Sequence, residues 1–391
     1  MKRICNLVKS ILLFQLLLFG AVNCMKKKLE KQLVISSSCG ENFLWSIGST
    51  FGKKCGTLPK GPVAFDPNNN VIAVGCQDKT VKLFEIKDAK KFDLVKDKIY
   101  LNNKMSKCRV RSVLFSSDGE KLAAAYSEDS SSGHIAVLVW NVDTQEIIAF
   151  FPFNKRDEGQ RVPYISFTPC NKKIFIFSPH KYRFRECNIE NGRIEREFNC
   201  PRGSFSGDAK GCAFSGDGKK FVYSYGVGGF LSRYKSVFIC ILHLVSGANP
   251  YQDLEKVDIG QEPVGVLALN QDATVAACSF MDVVDLKDNR MQLFDLISGQ
   301  PKGFTSEDRH KNPVSSLAFS KDGGLLVSGS CGGFLKVWDV NSGDCLLTTK
   351  GHSQPINGIL FCPLNSIYKL CKKLLQQREE KKYVNVKIKC V

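Results

Sequence analysis

The stretch Ser315-Ser316-Leu317-Ala318-Phe319-Ser320-Lys321-Asp322-Gly323-Gly324-Leu325-Leu326-Val327-Ser328-Gly329-Ser330 decides how this chain is read. It is followed by Phe334-Leu335-Lys336-Val337-Trp338-Asp339, and then by Gly351-His352. Two short apolar runs flank a polar Asp-Gly turn, and a third apolar run ends in Trp-Asp. Runs of this length, bounded by turn residues, predict three strands of an antiparallel sheet.

The first run recurs along the chain. Its marker position is held by Phe65, Phe115, Phe167, Phe214, Leu269, Phe319 and Phe361, at steps of 42–55 residues. That period accommodates one four-stranded propeller blade per repeat. Polar turns follow most markers, as Asp118-Gly119, Asp217-Gly218 and Asp322-Gly323. The seventh copy lacks its outer half after Phe361. Residues 32–39 and 42–46 align with Leu325–Cys331 and Phe334–Trp338, and would supply two of the missing strands. An open sheet edge exposes unpaired N–H and C=O groups, so closure by strands from both ends of the chain is expected.

The order "apolar run, Phe-Ser, Asp-Gly, apolar run, Trp-Asp, Gly-His" resembles the WD40 repeat, most strongly over residues 313–352. The resemblance, together with the seven markers, implies an all-β, seven-bladed β-propeller of four-stranded antiparallel blades over residues 32–365. Its last blade would be closed by N- and C-terminal strands. The family also has a hydrogen-bonded tetrad of His, Asp, Ser or Thr, and Trp. His310, Ser328 and Trp338 match three of its members, with Gly332 where the Asp is expected. Asp339 completes the Trp-Asp pair and His352 the Gly-His pair. Asp78 stands in a copy that has Phe84 in place of Trp, while Trp45 and Trp140 keep the ring without an obvious Asp. All eight read as structural repeat residues rather than catalytic ones.

The chain has 391 residues, 43% of them hydrophobic and 10% aromatic, enough for one large core. Its net charge of +17 is concentrated at the ends. Residues 1–31 hold seven Lys/Arg against one Glu, and residues 369–391 hold eight against two. This distribution argues against a nucleic-acid groove on the propeller and leaves two basic ends, with membrane-surface or polyanion contact as an alternative use. Residues 366–391 read as a basic tail. Ile367, Leu370, Cys371, Leu374 and Leu375 stand at helical spacing within it.

Residues 1–24 read as a signal peptide or anchor. Lys2, Arg3 and Lys9 precede an apolar run from Ile11 to Val22 that is too short to span a bilayer comfortably. The expectation is an exported or membrane-associated protein, or a cytoplasmic one if translation starts at Met25. The 17 cysteines include no Cys-x-x-Cys, and the five His are scattered, so neither a metal nor a cofactor is expected. Cys39, Cys76, Cys278 and Cys331 fall near the end of a second strand and read as small buried hydrophobes.

Catalytic motifs are lacking. Gly226-Val227-Gly228-Gly229 lies inside a strand repeat, not between strand and helix. The irregular features are long connections between second and third strands, at Glu128–Gly133, Gly226–Ser236 and Asp282–Arg290. In the WD40 family such connections open onto a narrow top face that binds peptides and proteins. Arg233, Tyr234, Lys235, Asp285 and Lys287 are therefore the candidate partner-binding residues. The expected function is a non-catalytic scaffold for other proteins, acting as a monomer or within a complex. The alternatives are a propeller enzyme of lactonase or hydrolase type with a central-channel site, and polyanion or membrane-surface binding through the basic termini.

Overall fold

Short apolar runs between polar turns become strands throughout. The structure is a computed structural model that describes residues 32–361, apart from 39–41, 48–52, 60, 67–70, 89–90, 101–106, 130–132, 155–162, 201–210, 228–235, 245–254, 262–263, 281–289 and 305–308. For residues 32–58 and 91–100 only the backbone course is described. The signal-peptide reading of 1–24 and the tail reading of 366–391 both lie outside the described residues.

The strands run in chain order as β1–β3 (Gln32–Ser38, Asn42–Ile47, Lys53–Leu58), then β4–β7 (Val63–Phe65, Val71–Gly75, Val81–Asp88, Lys91–Tyr100). Next come β8–β11 (Arg109–Phe115, Lys121–Ser127, His134–Asn141, Ile147–Asn154) and β12–β15 (Tyr164–Phe167, Lys173–Ser178, Arg183–Asn188, Ile194–Asn199). Strands β16–β19 follow (Cys212–Phe214, Lys220–Val227, Ser236–His243, Glu255–Asp258), then β20–β23 (Val264–Leu269, Val275–Phe280, Met291–Asp295, Pro301–Lys302). The last are β24–β27 (Val314–Phe319, Leu325–Ser330, Phe334–Asp339, Cys345–Lys350) and β28 (Ile356–Phe361).

These strands form a propeller of four-stranded antiparallel blades. Six blades are contiguous, from β4–β7 to β24–β27, rather than the seven that the markers number. The remaining four-stranded sheet has the order β28-β1-β2-β3 and joins the two ends of the described chain. The first strand of each blade lies against that of the next, and β28 lies against both β24 and β4. The N-terminal side contributes three strands to the composite sheet, not the two expected. The additional strand, β3, pairs with β2 through Trp45 opposite Lys54.

Packing between blades is hydrophobic. Phe175, Phe177 and Phe184 of one blade meet Phe214, Phe221 and Tyr223 of the next, with the Phe177 and Phe221 ring centroids 4.6 Å apart. Similar clusters join the other contiguous blades. Leu325, Val327, Leu335 and Val337 pack on Ile356 of β28. Burial of such rings, at about 25 cal/mol per Å², is the main favourable term.

Two turn types repeat. In the first-to-second turn, the Oγ of Ser116, Ser215 and Ser320 donates to the carboxylate of Asp118, Asp217 and Asp322 at 2.5–2.6 Å. The same Oγ accepts from the backbone N–H of Lys121, Lys220 and Leu325 at 2.9 Å. In the third-to-fourth turn, Asn141, Asn188, Asp295 and Asp339 each accept two backbone N–H bonds, from the second and third residues after them. The fifth residue of that turn is left-handed: Gly192, Gly299 and Gly343 have φ of 68–76°, and Gln145 has φ 62°.

That shared geometry separates two effects of a side chain. Gly192→Ala is expected to cost about 1 kcal/mol from left-handed strain alone, because nothing lies within 4 Å of the added Cβ. Gly343→Ala is expected to cost distinctly more, since its Cβ would stand 2.2 Å from the Gly303 carbonyl oxygen. Gln145→Gly is expected to stabilise by up to about 1 kcal/mol. Urea unfolding midpoints of the three variants check all of this.

Candidate functional site

Antiparallel succession puts the first-to-second and third-to-fourth turns at one end of every blade, and the second-to-third connections at the other. At the first end the ring of first strands opens into a cavity of about 570 Å³. Phe65, Phe115, Phe167, Phe319 and Phe361, five of the seven repeat markers, line it. Its rim is polar and built from interlocked turns. Asn171 Oδ1 accepts from the backbone N–H of Ser117 at 3.2 Å, and its Nδ2 donates to Ser117 Oγ at 2.9 Å, tying one blade to its neighbour. The Asp217 N–H donates to the Gln271 carbonyl of the following blade at 3.3 Å.

The rim acids are spent on the turns. Partial burial opposes ionisation of Asp118 and Asp217, but hydrogen bonds from Ser116 and Ser215 and from backbone N–H groups hold both below the usual carboxylate range. Cys170 stands where the other turns have Asp, with Sγ 3.4 Å from Thr168 Oγ1. That contact is the main cause lowering its thiol pKa. Among the described residues no three His, Cys, Asp or Glu come together as metal ligands would. Mouth residues were not singled out from the sequence. The signal was available: a large apolar marker ending each first strand, aromatic in six of seven, must point to the channel mouth or into the next blade.

The residues expected from sequence fare differently. Arg233, Tyr234, Lys235, Asp285 and Lys287 lie outside the described residues, as do 130–132 of the first long connection. Of its described members, Asp129 binds Arg109 of β8 at 2.9 Å and also binds Arg111 of the same strand. Gly226 and Val227 belong to β17.

His310, Ser328 and Trp338 come together as a buried chain. Trp338 Nε1–H donates to Ser328 Oγ at 2.8 Å, and Ser328 Oγ lies 2.7 Å from His310 Nε2. With Ser328 accepting from Trp338, its own hydroxyl hydrogen is free to donate to a neutral His310. Burial, reinforced by the Lys336 cation, lowers the His310 pKa to about 4. The position of the absent Asp is filled from elsewhere: a Cβ on Gly332 would stand 2.2 Å from Asn312 Oδ1.

Asp339 is a turn cap, as described above. His352 is buried, and the backbone N–H groups of Gly351 and His352 both donate to the Gly333 carbonyl, at 2.8 and 3.0 Å. Asp78 belongs to no tetrad. It is tied into its own turn by Thr80 Oγ1 at 2.5 Å and Lys82 Nζ at 2.6 Å, which hold its pKa low against slight burial. Trp140 is fully buried with Tyr126 edge-on at 6.2 Å. Trp45 is placed on β2, and only its backbone is described. Cys76 and Cys278 are buried as expected, and burial raises both thiol pKa values. Cys331 is exposed, contrary to expectation, because it opens a tight turn after β25. Cys39 lies outside the described residues.

The family model "WD domain, G-beta repeat" matches residues 63–85 and 304–339. The chain is 30% identical over 298 residues to rat apoptotic protease-activating factor 1, covering 73% of this chain and 20% of that protein. It is 32% identical over 73 residues to the yeast target of rapamycin complex subunit LST8, covering 19% of this chain and 24% of that one. Matches to the curated relatives span only 10% to 26% of their own lengths. The crystal structure of the computationally designed Ika8 protein superposes with a TM-score of 0.52 at 18% identity, over 83% of this chain and 86% of that one. That likeness concerns the fold alone.

The His310 chain sets a pH dependence. A histidine whose folded pKa lies below its unfolded value of 6.5 contributes stability that is complete above pH 6.5. The contribution is lost as pH falls from there toward 4, by roughly 3 kcal/mol at most. His310→Gln should therefore show a flatter fall in melting temperature across that window than the native chain. Parallel curves for the two proteins would show that His310 does not titrate with unfolding.

Proposed function

We propose that this chain, which belongs to the WD40-repeat β-propeller family, is a non-catalytic scaffold that holds partner proteins on its faces and rim. In this reading the composite sheet counts as a seventh blade of one closed ring. The observation that carries it is where the polar groups go. The described carboxylates with lowered pKa values serve turns or strand-to-strand ion pairs, and the one strongly shifted histidine is buried in a strand-tying chain. Such a body is suited to present surfaces rather than to move protons. Two relatives bear names that speak of assembly: a zebrafish "Dynein assembly factor with WD repeat domains 1" and the target of rapamycin complex subunit. The step from fold to scaffold is otherwise by analogy.

The finer proposal assigns partner contact to Arg233, Tyr234, Lys235, Asp285 and Lys287 in the long connections of two blades. An aromatic flanked by charges is the composition of an interface anchor and its rim. We also propose that residues 1–24 direct export or membrane association. N-terminal sequencing of native protein tests this, with a mature start near Met25 expected and an intact Met1 in a soluble cytosolic fraction counting against it.

Replacing the five connection residues together by Ala or Ser tests the binding face. Exposed loop changes usually cost within about 0.5 kcal/mol, so the melting temperature should hardly move. Affinity for a copurifying partner, measured by calorimetry, should fall at least tenfold, with Tyr234→Ala the largest single loss. Unchanged affinity in the five-fold variant moves the contact to another surface.

A further inference from the structure

Lys336 lies in the middle of β26 and keeps only 8% of its surface exposed. A lysine is seldom buried so far unless a carboxylate pairs with it. Among the described residues no carboxylate forms an ion pair with Lys336. Its Nζ instead donates to Thr348 Oγ1 at 2.9 Å, stands 3.9 Å from Cys345 Sγ and lies over the Trp338 ring at 5.7 Å.

The strand register builds this meeting. Lys336 and Trp338 share one face of β26, because side chains alternate along a strand. Lys336 is opposite Thr348, and regular pairing would put Leu346 opposite Trp338. A bulge between Val337 and Trp338 brings Cys345 there in its place. Cys345 consequently packs on the Trp338 side of the blade, whereas Leu346 and Leu347 pack on the other. β27 is the outermost strand of its blade and Cys345 is only half-buried, so a small oxidant reaches the thiol.

We propose that Cys345 and Lys336 form a modification site at which a peroxide joins the two side chains through a sulfur–nitrogen bond. One peroxide oxygen goes to sulfur, giving the sulfenic acid, and the other leaves as water. The O–O bond takes up the two electrons that sulfur loses. The Lys336 amine, in its deprotonated form, then attacks that sulfur. Its lone pair forms the S–N bond, the S–O bond breaks, and hydroxide leaves with the amine's proton as a second water. Sulfenic acids condense with a backbone nitrogen to sulfenamides, and a lysine amine is the stronger nucleophile. Lysine's flexible four-carbon stem lets Nζ close the gap. The link ties β26 to β27 and removes a cation that, after burial, helps to lower the His310 pKa. It is a covalent change within one blade and goes beyond the scaffold reading.

The test treats the folded, full-length chain with hydrogen peroxide, blocks free thiols and follows tryptic digestion by mass spectrometry. Trypsin cuts after Lys321, Lys336 and Lys350, and a linked Lys336 resists it. The expected product is one peptide of residues 322–350, uncut after Lys336. It should be about 2 Da lighter than its reduced form, because one thiol and one amine hydrogen are lost. Dithiothreitol should restore cleavage. The yield should fall at least tenfold in Lys336→Arg, in Cys345→Ser and in the native chain oxidised after unfolding in urea. Cys331→Ser should leave it unchanged, which separates the link from a Cys331–Cys345 disulfide. Normal cleavage after Lys336 in the oxidised native chain, with Cys345 recovered as its sulfinic or sulfonic acid or joined to another cysteine, overturns the proposal. Equal yield from the urea-unfolded chain overturns it as well. Both of these readouts use the native sequence, so they decide whether or not a variant folds.

Discussion

The antiparallel pairing of β1 with β28 is the constraint on which the rest of this propeller depends. Residues 34–38 of one strand meet residues 356–361 of the other, with a bulge between Ser37 and Ser38. Without it the molecule would carry two open edges, each a row of unpaired N–H and C=O groups. Every inter-blade cluster is also indirectly at stake, since each blade buries its face only against a neighbour. The entropic cost of joining such distant segments grows only with the logarithm of their separation, about 0.6 kcal/mol per doubling. A few backbone bonds and the packing of Ile356 on Leu325, Val327 and Val337 can offset it.

Within each blade the work passes to local turn chemistry. In three blades a Ser hydroxyl and an Asp carboxylate hold the first turn, and in four an Asn or Asp side chain holds the third. This gives the Trp-Asp dipeptide two separate physical meanings. Trp338 points inward to Ser328 and His310, while Asp339, one residue on, receives the Asn341 and Ser342 N–H groups in the turn. Alternation along a strand sends neighbours to opposite faces. The pair is thus two anchors at the end of one strand, not one motif.

This explains what was legible in the sequence. The seven markers all fall on first strands, because a large apolar residue ending a short apolar run and followed by a turn signal has a single structural solution here. Sequence also foresaw that the last sheet is shared between the ends. It missed β3, where Lys53, Lys54 and Gly56 break any apolar alternation and only pairing with β2 makes a strand. Asp78 was grouped with the repeat residues, yet its carboxylate closes a local turn, which a tetrad pattern cannot distinguish. Cys331 looked buried by position, but a turn at Gly332 and Gly333 carries it outward. The channel mouth was illegible for a different reason. It is made by residues from every blade, and no single repeat contains it.

The two ends of the propeller consequently differ in kind. At one end most turns are short, repetitive and rich in carboxylates, the connection 244–254 between β18 and β19 being the long exception. Connections at the other end vary from blade to blade, from 331–333 to 281–290, and no shared turn device of this kind recurs among the described residues. Regularity at the first end follows from the need to seal neighbouring blades, as Asn171 does against Ser117 and the Gln271 carbonyl against the Asp217 N–H. In the composite sheet β1 begins and β28 ends at the first of these ends, with Val34 opposite Phe361. The strand pair that makes the composite sheet thus also sets β28 between β24 and β4, so sheet pairing and blade packing meet in one strand.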